Sequence, residues 1–249
     1  MSYCKQVYSL LKASLGALLN FILPPLCLGC HKNIAENHFF CASCWKELDF
    51  ITPPFCPIMG VPLPYSIEGF ISLEAFHSPP PFSRARAAVH HKDLARRLVS
   101  QFKYNDKLEL SQPLANLMYK AGREFWKDCD FLVPIPLHYF RFWARHYNQA
   151  AELAKALAIL SQKPILFSAL KRIKNTQRQV GLNAIARKRN IQGAFCVNEK
   201  YLPQLKNAHI VLIDDVYTTG ATIKAACTAL KKAKVRHIDV LTFSRVIDG

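Results

Sequence analysis

Residues 209–222 read His-Ile-Val-Leu-Ile-Asp-Asp-Val-Tyr-Thr-Thr-Gly-Ala-Thr. The apolar run Ile210–Ile213 predicts a buried strand, and Asp214 and Asp215 follow it directly. Two adjacent carboxylates are costly to bury without partners, so we expect them at the carboxyl edge of a parallel sheet, where α/β proteins bind ligands. The turn Thr218–Thr222 then opens a helix and offers backbone N–H groups and hydroxyls to an anion. One segment thus combines acceptors for sugar hydroxyls, or for a metal ion, with donors for a phosphate group.

Strand-like and helix-like segments alternate along residues 82–249, which predicts an α/β domain with a mostly parallel sheet and flanking helices. We expect strands at 87–91, 131–136, 164–170, 193–197, 210–216 and 237–243, and helices at 93–103, 108–124, 148–160 and 220–233. Residues 1–24 predict an amphipathic N-terminal helix, and residues 25–80 a small cysteine-bearing module. No internal repeat is evident in the sequence.

The charge of the chain is distributed unevenly. The 249 residues have a formal net charge of +16. The first 80 residues hold four Lys/Arg and five Asp/Glu, so the remainder holds 29 basic and 12 acidic side chains. This asymmetry favours a phosphate-rich partner, such as a phosphorylated small molecule, nucleic acid or anionic lipid, or it serves solubility alone.

Two C-x-x-C pairs in the cysteine module predict a metal site. Tetrahedral zinc binds four thiolates arranged as two such turns, and here they come from Cys27, Cys30, Cys41 and Cys44. A disulfide framework is the alternative, but the N-terminus shows no convincing secretory signal. We therefore expect one structural zinc ion and, by default, a cytoplasmic protein, with peripheral contact at the inner membrane as an alternative.

The segment 209–222 resembles the phosphoribosyl pyrophosphate (PRPP) signature of type I phosphoribosyltransferases, with four apolar residues, two acids and a Thr-Thr-Gly-x-Thr turn. The resemblance implies that Asp214 and Asp215 hold the ribose 2′- and 3′-hydroxyls. It implies that the 5′-phosphate is cradled by Thr218, Thr219, Gly220, Ala221 and Thr222, and that Mg²⁺ accompanies PRPP. It also implies that pyrophosphate is contacted by the loop after the 131–136 strand, centred on Leu137 and His138.

The stretch Lys171–Arg189 contains seven Lys/Arg and no acidic residue. A long basic loop near a phosphate site can close over the ligand and screen the charge that develops during transfer. We therefore regard Arg172 and Arg187 as candidate catalytic residues.

Several short patterns are similar to those of the ComF family of bacterial competence proteins: Thr176-x-x-Gln179, Tyr147-Asn-Gln149 and Lys103-Tyr104. That resemblance implies a role in uptake of transforming DNA. The segment Cys56-Pro-Ile-Met59 looks like the remnant of a second cysteine knuckle, so we expect a single zinc and an ordinary buried thiol at Cys56.

The resulting hypothesis is a competence protein with a PRPP site that handles single-stranded DNA. Its expected partners include membrane-associated DNA-uptake proteins or a helicase. The alternative is an active phosphoribosyltransferase that uses an unidentified base or nucleotide as acceptor and has no direct DNA role.

Overall fold

The computed structural model describes six stretches of the chain: 24–34, 39–65, 69–104, 107–137, 147–173 and 193–247. The chain divides into two compact units, Met1–Leu48 and Asp49–Gly249. The predictions for the N-terminal helix, for His138 and Arg187 and for most of the basic loop fall outside the described residues. Within those six stretches, no helix has both the length and the apolar character needed to cross a lipid bilayer.

The second unit is built around a four-stranded parallel sheet. Its strands are β1 (Arg84–His90), β2 (Phe131–Pro134), β5 (His209–Tyr217) and β6 (His237–Arg245), in the order β1-β6-β5-β2. The two short strands between them in sequence, β3 (Leu170–Arg172) and β4 (Phe195–Val197), form a separate antiparallel pair. All pairings in the larger sheet are parallel, which confirms the predicted architecture.

Helices cover the sheet, and their apolar residues recur at helical spacing. The described helices are α1 (Ala42–Glu47), α2 (Leu73–His77), α3 (Asp93–Tyr104), α4 (Ser111–Ala121), α5 (Gln149–Ser161), α6 (Leu202–Leu205) and α7 (Ala221–Lys232). In α3, Leu94, Leu98 and Phe102 are buried, whereas Arg96 and Arg97 are exposed, which is the pattern of an amphipathic surface helix. Helix α4 packs against β1 and β6, and α5 packs against β2 and β5.

The predicted strand at 164–170 is wrong. Only Ile165 pairs with the sheet, through a single parallel bridge to Leu132. The main chain then turns, because the Ala169 N–H donates to the Leu166 carbonyl (3.3 Å), and β3 begins only at Leu170. Leu166 and Ala169 therefore reach the core from a turn rather than from a strand, whereas Phe167 is exposed.

Two other boundaries differ for identifiable reasons. Strand β1 begins at Arg84, three residues before its predicted start, because Arg84 and Arg86 are paired with acids and can lie in a strand that is otherwise buried. The helix predicted at 108–124 is instead a 3₁₀ turn at Leu108–Leu110 followed by α4, which ends at Ala121 before Gly122.

The segment from Asp49 to Ser78 packs on the edge strand β1. The Ile51 N–H donates to the Ala88 carbonyl (3.0 Å), and the Ala85 N–H donates to the Ile58 carbonyl (2.7 Å). These bonds satisfy main-chain groups that an edge strand otherwise leaves open.

Candidate functional site

The carboxyl end of β5 leads into a tight turn. Thr218 and Thr219 are exposed, and α7 begins directly after Gly220. Gly220 has φ +71°, and a Cβ there would lie 2.3 Å from the Tyr217 hydroxyl oxygen. Only glycine fits this position without strain, and the turn aims the first N–H groups of a 12-residue helix at the end of the strand.

The two acids lie just before this turn, inside β5. Asp214 is half-buried, Asp215 is buried, and the Asp215 N–H donates to Asp214 Oδ1 (2.9 Å). Burial and the neighbouring Asp215 carboxylate raise the pKa of Asp214 to about 7, although the charges of Lys103 and Arg172 oppose the shift. The site therefore holds two carboxylates whose shared negative charge favours a donor or a cation as ligand.

Lys103 is the residue that the sequence analysis did not assign to the site. Its Nζ lies 2.9 Å from Asp215 Oδ2. It is the second-last residue of α3, and the only sequence signal was its place in the Lys103-Tyr104 pattern. At this distance the Lys103 ammonium group is the counter-ion of the Asp215 carboxylate.

The pattern at residues 147–149 has a structural explanation. The Tyr147 hydroxyl and the Gln149 amide both donate to the Phe102 carbonyl, beside Lys103. Asn148 caps α5 by accepting the Ala150 N–H (3.1 Å). These bonds hold the end of α3 next to the acid pair.

The loop after β2 is held near the same edge. The Asn148 amide donates to the Ile135 carbonyl (3.0 Å), and the Ile135 N–H donates to the carbonyl of Ile213 (2.9 Å), the residue before Asp214. This brings the described part of the predicted pyrophosphate loop, through Leu137, to the strand that bears the acids.

Arg172 ends β3 with its guanidinium over the Phe195 ring, 5.4 Å from the ring centroid. Its charge lowers the pKa of Asp214, so it acts electrostatically on the acid pair. Apart from His138 and Arg187, the candidate residues thus lie at the carboxyl end of β5, in the loop after β2 and, for Arg172, in the separate β3–β4 pair.

The four cysteines of the first unit fit a zinc ion. Their sulfur atoms all lie within 4.8 Å of one another, and Cys30 Sγ is 3.7 Å from Cys41 Sγ. Four sulfurs at about 2.3 Å from a tetrahedral zinc are separated by about 3.8 Å. Although burial raises the pKa of Cys27, N–H groups of Cys41, Cys30 and Gly29 lower it to about 6, whereas burial and the neighbouring cysteines raise the pKa of Cys44.

Comparison with protein families agrees with both parts of this description. Residues 148–247 match the phosphoribosyl transferase domain, and residues 18–73 match the double zinc ribbon domain. With the parallel sheet, these matches define a zinc-ribbon protein that carries a phosphoribosyltransferase-type domain.

The chain also matches curated relatives over most of its length. It is 30% identical to competence protein F of Haemophilus influenzae, over 88% of this chain and 96% of the relative. It is 26% identical to the DNA utilization protein YhgH of Escherichia coli K12, over 90% of this chain and 99% of that protein. It is 28% identical to the competence protein ComFC of Bacillus subtilis, over 82% of this chain and 83% of that protein. The chain belongs to the ComF family, which confirms the resemblance seen in its sequence.

Among solved structures, the chain has a distant likeness to a glutamine PRPP amidotransferase from B. subtilis complexed with ADP and GMP. The identity is 14% and the TM-score 0.38, over 56% of this chain and 29% of that one.

The pKa of Asp214 leads to a prediction for the pH dependence of ligand binding. A ligand that donates hydrogen bonds to the ionised carboxylate must displace a proton at low pH, so its affinity should fall up to about tenfold per pH unit below pH 7. We expect titrations of PRPP between pH 5.5 and 8.5 to show this fall and Asp214→Asn to show a smaller one, which remains because the phosphate of PRPP is protonated at about pH 6. Lys103→Gln should move the midpoint upward, because Lys103 lowers the pKa. An unchanged pH profile in Asp214→Asn would contradict the assignment.

Proposed function

We propose that this chain is a competence protein whose α/β domain binds PRPP and which acts in the uptake or handling of single-stranded transforming DNA. The observation that carries the PRPP site is the buried strand that delivers Asp214 and Asp215 to a glycine turn at a helix N-terminus. The competence role is supported by the names of the relatives, two of which are competence proteins and one a DNA utilization protein.

The chemistry of the site suits a phosphorylated ribose. Asp214 and Asp215 accept from the ribose 2′- and 3′-hydroxyls, and the 5′-phosphate lies against the segment from Thr218 to Thr222 at the positive end of α7. Leu137 and His138 contact the pyrophosphate in this proposal. Mg²⁺ would reach the site with PRPP and neutralise pyrophosphate charge, while Lys103 and Arg172 add positive charge from the protein.

Calorimetric titration of the purified protein with PRPP, with and without Mg²⁺, tests the site. We expect saturable binding that is stronger with Mg²⁺, and weaker binding of ribose 5-phosphate and of pyrophosphate alone because each fills only part of the site. The absence of heat with PRPP under both conditions would exclude a PRPP site.

DNA handling rests on the charge of the second unit and on Arg172, which lies at the start of the basic stretch. A protein that neutralises phosphates of a single strand loses affinity with salt, with a slope of about −0.7 for each phosphate contacted. We expect Arg172→Ala combined with Arg178→Ala and Arg187→Ala to reduce that slope by about 2 in fluorescence titrations of single-stranded DNA.

The control for the DNA prediction removes three other positive charges. Lys231, Lys232 and Lys234 are exposed near the end of α7, away from the glycine turn. Their replacement by Ala should leave the slope almost unchanged. Equal losses in the two triple variants would mean that DNA binding follows net charge alone and is not localised at the basic loop.

The second candidate function is catalytic transfer of phosphoribose to a base or nucleotide, with inversion at the anomeric carbon and release of pyrophosphate. The presence of both Asp214 and Asp215 favours this catalytic function, because a site that had lost its activity would not need both carboxylates. Pyrophosphate release from PRPP in the presence of a panel of bases tests it. A protein that binds PRPP but releases none with any base would be a PRPP-binding rather than a PRPP-consuming protein.

The proposal extends to partners through the N-terminal part of the chain. The zinc module and the apolar segment before it would connect the protein to DNA-uptake proteins or a helicase at the inner membrane.

A further inference from the structure

The cysteine module contains an internal repeat that extends well beyond the knuckle remnant recognised at Cys56–Met59 in the sequence. Residues 24–34 read PPLCLGCHKNI, and residues 53–63 read PPFCPIMGVPL. Aligned 29 positions apart, the two prolines and the first cysteine coincide, and Met59 takes the place of Cys30. The full extent of the repeat is not evident from the sequence because only these few residues are identical.

The two segments make the same main-chain turn. Cys27 donates its N–H to the Lys32 carbonyl (2.8 Å), and Cys56 donates to the Val61 carbonyl (2.8 Å). The next bonds match too, since the N–H groups of His31 and Gly60 donate to the first-cysteine carbonyls, both at 2.8 Å. His31 and Gly60 both have a positive φ, 58° and 66°.

Each segment is the first half of a longer unit, the first ribbon (residues 24–47) and the second ribbon (residues 53–77), and the second halves of the two ribbons also correspond. The N–H of Cys41 donates to Cys27 Sγ, and that of Ser72 donates to Cys56 Sγ, both at 3.3 Å. Each donor residue caps a short helix with its side chain, accepting the N–H of Cys44 in the first ribbon and of Ala75 in the second. Four ligand positions of the first ribbon are thus matched in the second by Cys56, Met59, Ser72 and Ala75.

This second set does not fit zinc. A thiol, a thioether, a hydroxyl and a methyl group supply one strong zinc ligand where a structural site needs four. Cys56 and Met59 are fully buried and Ala75 is 2% exposed, so these side chains form part of the apolar core. The positions that hold a metal in a zinc ribbon are here used for packing.

We infer that residues 53–77 are a second zinc ribbon that has dispensed with its metal and that Arg245 supplies the cation which fastens this ribbon to the sheet. Arg245 is the last residue of β6 and is 4% exposed. Its Nη1 donates to the Met59 carbonyl, and its Nη2 lies 3.7 Å from Glu74 Oε2 on α2. One guanidinium therefore contacts both halves of the second ribbon.

The electrostatics around Arg245 agree with this role. Burial lowers the pKa of Arg245, whereas electrostatic attraction to Tyr217, Glu74 and Cys56 raises it. Two of these groups belong to the ribbon. In a metal-bound ribbon the zinc ion would supply the positive charge that balances the acidic groups of the ribbon. Here the guanidinium of Arg245 in β6 supplies that charge.

The same contacts connect the second ribbon to the glycine turn. The guanidinium of Arg245 lies 4.0 Å from the centroid of the Tyr217 ring, whose hydroxyl occupies the space beside Gly220. Glu74 Oε1 lies 3.3 Å from Lys224 Nζ in the first turns of α7. Through these contacts the second ribbon stabilises the glycine turn. This stabilisation does not depend on whether the turn binds PRPP.

Metal content tests the inference on four proteins, using mass spectrometry of the full chain and the absorption of bound Co²⁺. We expect one zinc per chain in the unmodified protein, one in Cys56→Ser and loss of the zinc in Cys41→Ser. Met59→Cys combined with Ser72→Cys and Ala75→Cys restores four thiols and should raise the content to two.

Two outcomes of the metal analysis would overturn the inference. One is a content near two in the unmodified protein that falls to one in Cys56→Ser. The other is a content of one in the folded triple variant. Should the triple variant fail to fold, the unmodified protein and Cys56→Ser decide the question by themselves.

Hydrogen exchange tests the part assigned to Arg245. The N–H groups of Met59 and Ser72 both donate to Cys56 Sγ, at 3.3 Å, and report on the integrity of the second ribbon. Arg245→Met should speed their exchange at least tenfold, whereas Arg236→Met, at an exposed arginine beside β6, should not. Unchanged protection of both amides in Arg245→Met would show that another contact fastens the ribbon.

Discussion

Replacing both Asp214 and Asp215 by Asn is expected to weaken PRPP binding by two to four orders of magnitude while the sheet remains folded. Each carboxylate can accept a charge-assisted hydrogen bond worth about 1.5–3 kcal/mol, so losing both costs about 3–6 kcal/mol. That loss corresponds to roughly 10²- to 10⁴-fold in the dissociation constant. Calorimetry measures the affinity, and circular dichroism measures the retained fold.

The fold is expected to survive because relief of the repulsion between the two carboxylates offsets the loss of the ion pair between Asp215 and Lys103. The negative charge of Asp215 is one of the causes that raise the pKa of Asp214, so neutral amides relieve repulsion. Asp128→Asn, at an exposed acid before β2, is the matched control and should bind PRPP normally. Undiminished binding by the double variant would place the ribose elsewhere on the protein.

Replacing Gly60 by Ala is expected to destabilise the second unit by about 2–5 kcal/mol. Gly60 has φ +66°, and a Cβ there would lie 2.2 Å from the main-chain carbonyl oxygen of Ala85 in β1. The left-handed conformation costs about 1–2 kcal/mol for a non-glycine residue, and overpacking adds about 1–3 kcal/mol. The midpoint of urea denaturation, with an unchanged slope, measures the effect.

Gly69→Ala separates the conformational strain from the clash. Gly69 has φ +75°, but no atom lies within 4 Å of the position of its added Cβ. This variant should lose only the conformational part, about 1–2 kcal/mol. Equal losses in the two variants would show that the second ribbon does not press on β1 at Gly60.

The two local chemical motifs could be predicted from the sequence because each is written in consecutive residues. The run that ends in Asp214 and Asp215 lies at the end of a buried parallel strand and leads into the glycine turn, as expected. The sulfurs of Cys27, Cys30, Cys41 and Cys44 lie close enough to share a metal because two C-x-x-C turns each bring their own pair of sulfurs together. The alternation of strands and helices was likewise sufficient for the parallel sheet.

Charged residues in strands and apolar residues in turns account for the element boundaries that differ from the sequence-based prediction. Because Arg84 and Arg86 are charged, the sequence predicts too late a start for β1, although acids neutralise both arginines in the fold. The apolar residues after Pro164 suggested a strand, but a turn at Leu166 delivers them to the core instead. The acids that pair with Arg84 and Arg86 are distant in sequence, whereas the turn closes through a local bond between Ala169 and Leu166.

Sequence by itself determined the sheet, the glycine turn and the four-cysteine cluster, since each depends on the order and periodicity of neighbouring residues. Tertiary structure alone decided that Lys103 pairs with Asp215 and that Arg245 reaches Met59 and Glu74. These contacts join residues separated by more than a hundred positions, and no local pattern encodes which buried charge will meet which partner. The energetic need to pair a charge that leaves water exists in the sequence, but only the packed chain selects the group that satisfies it.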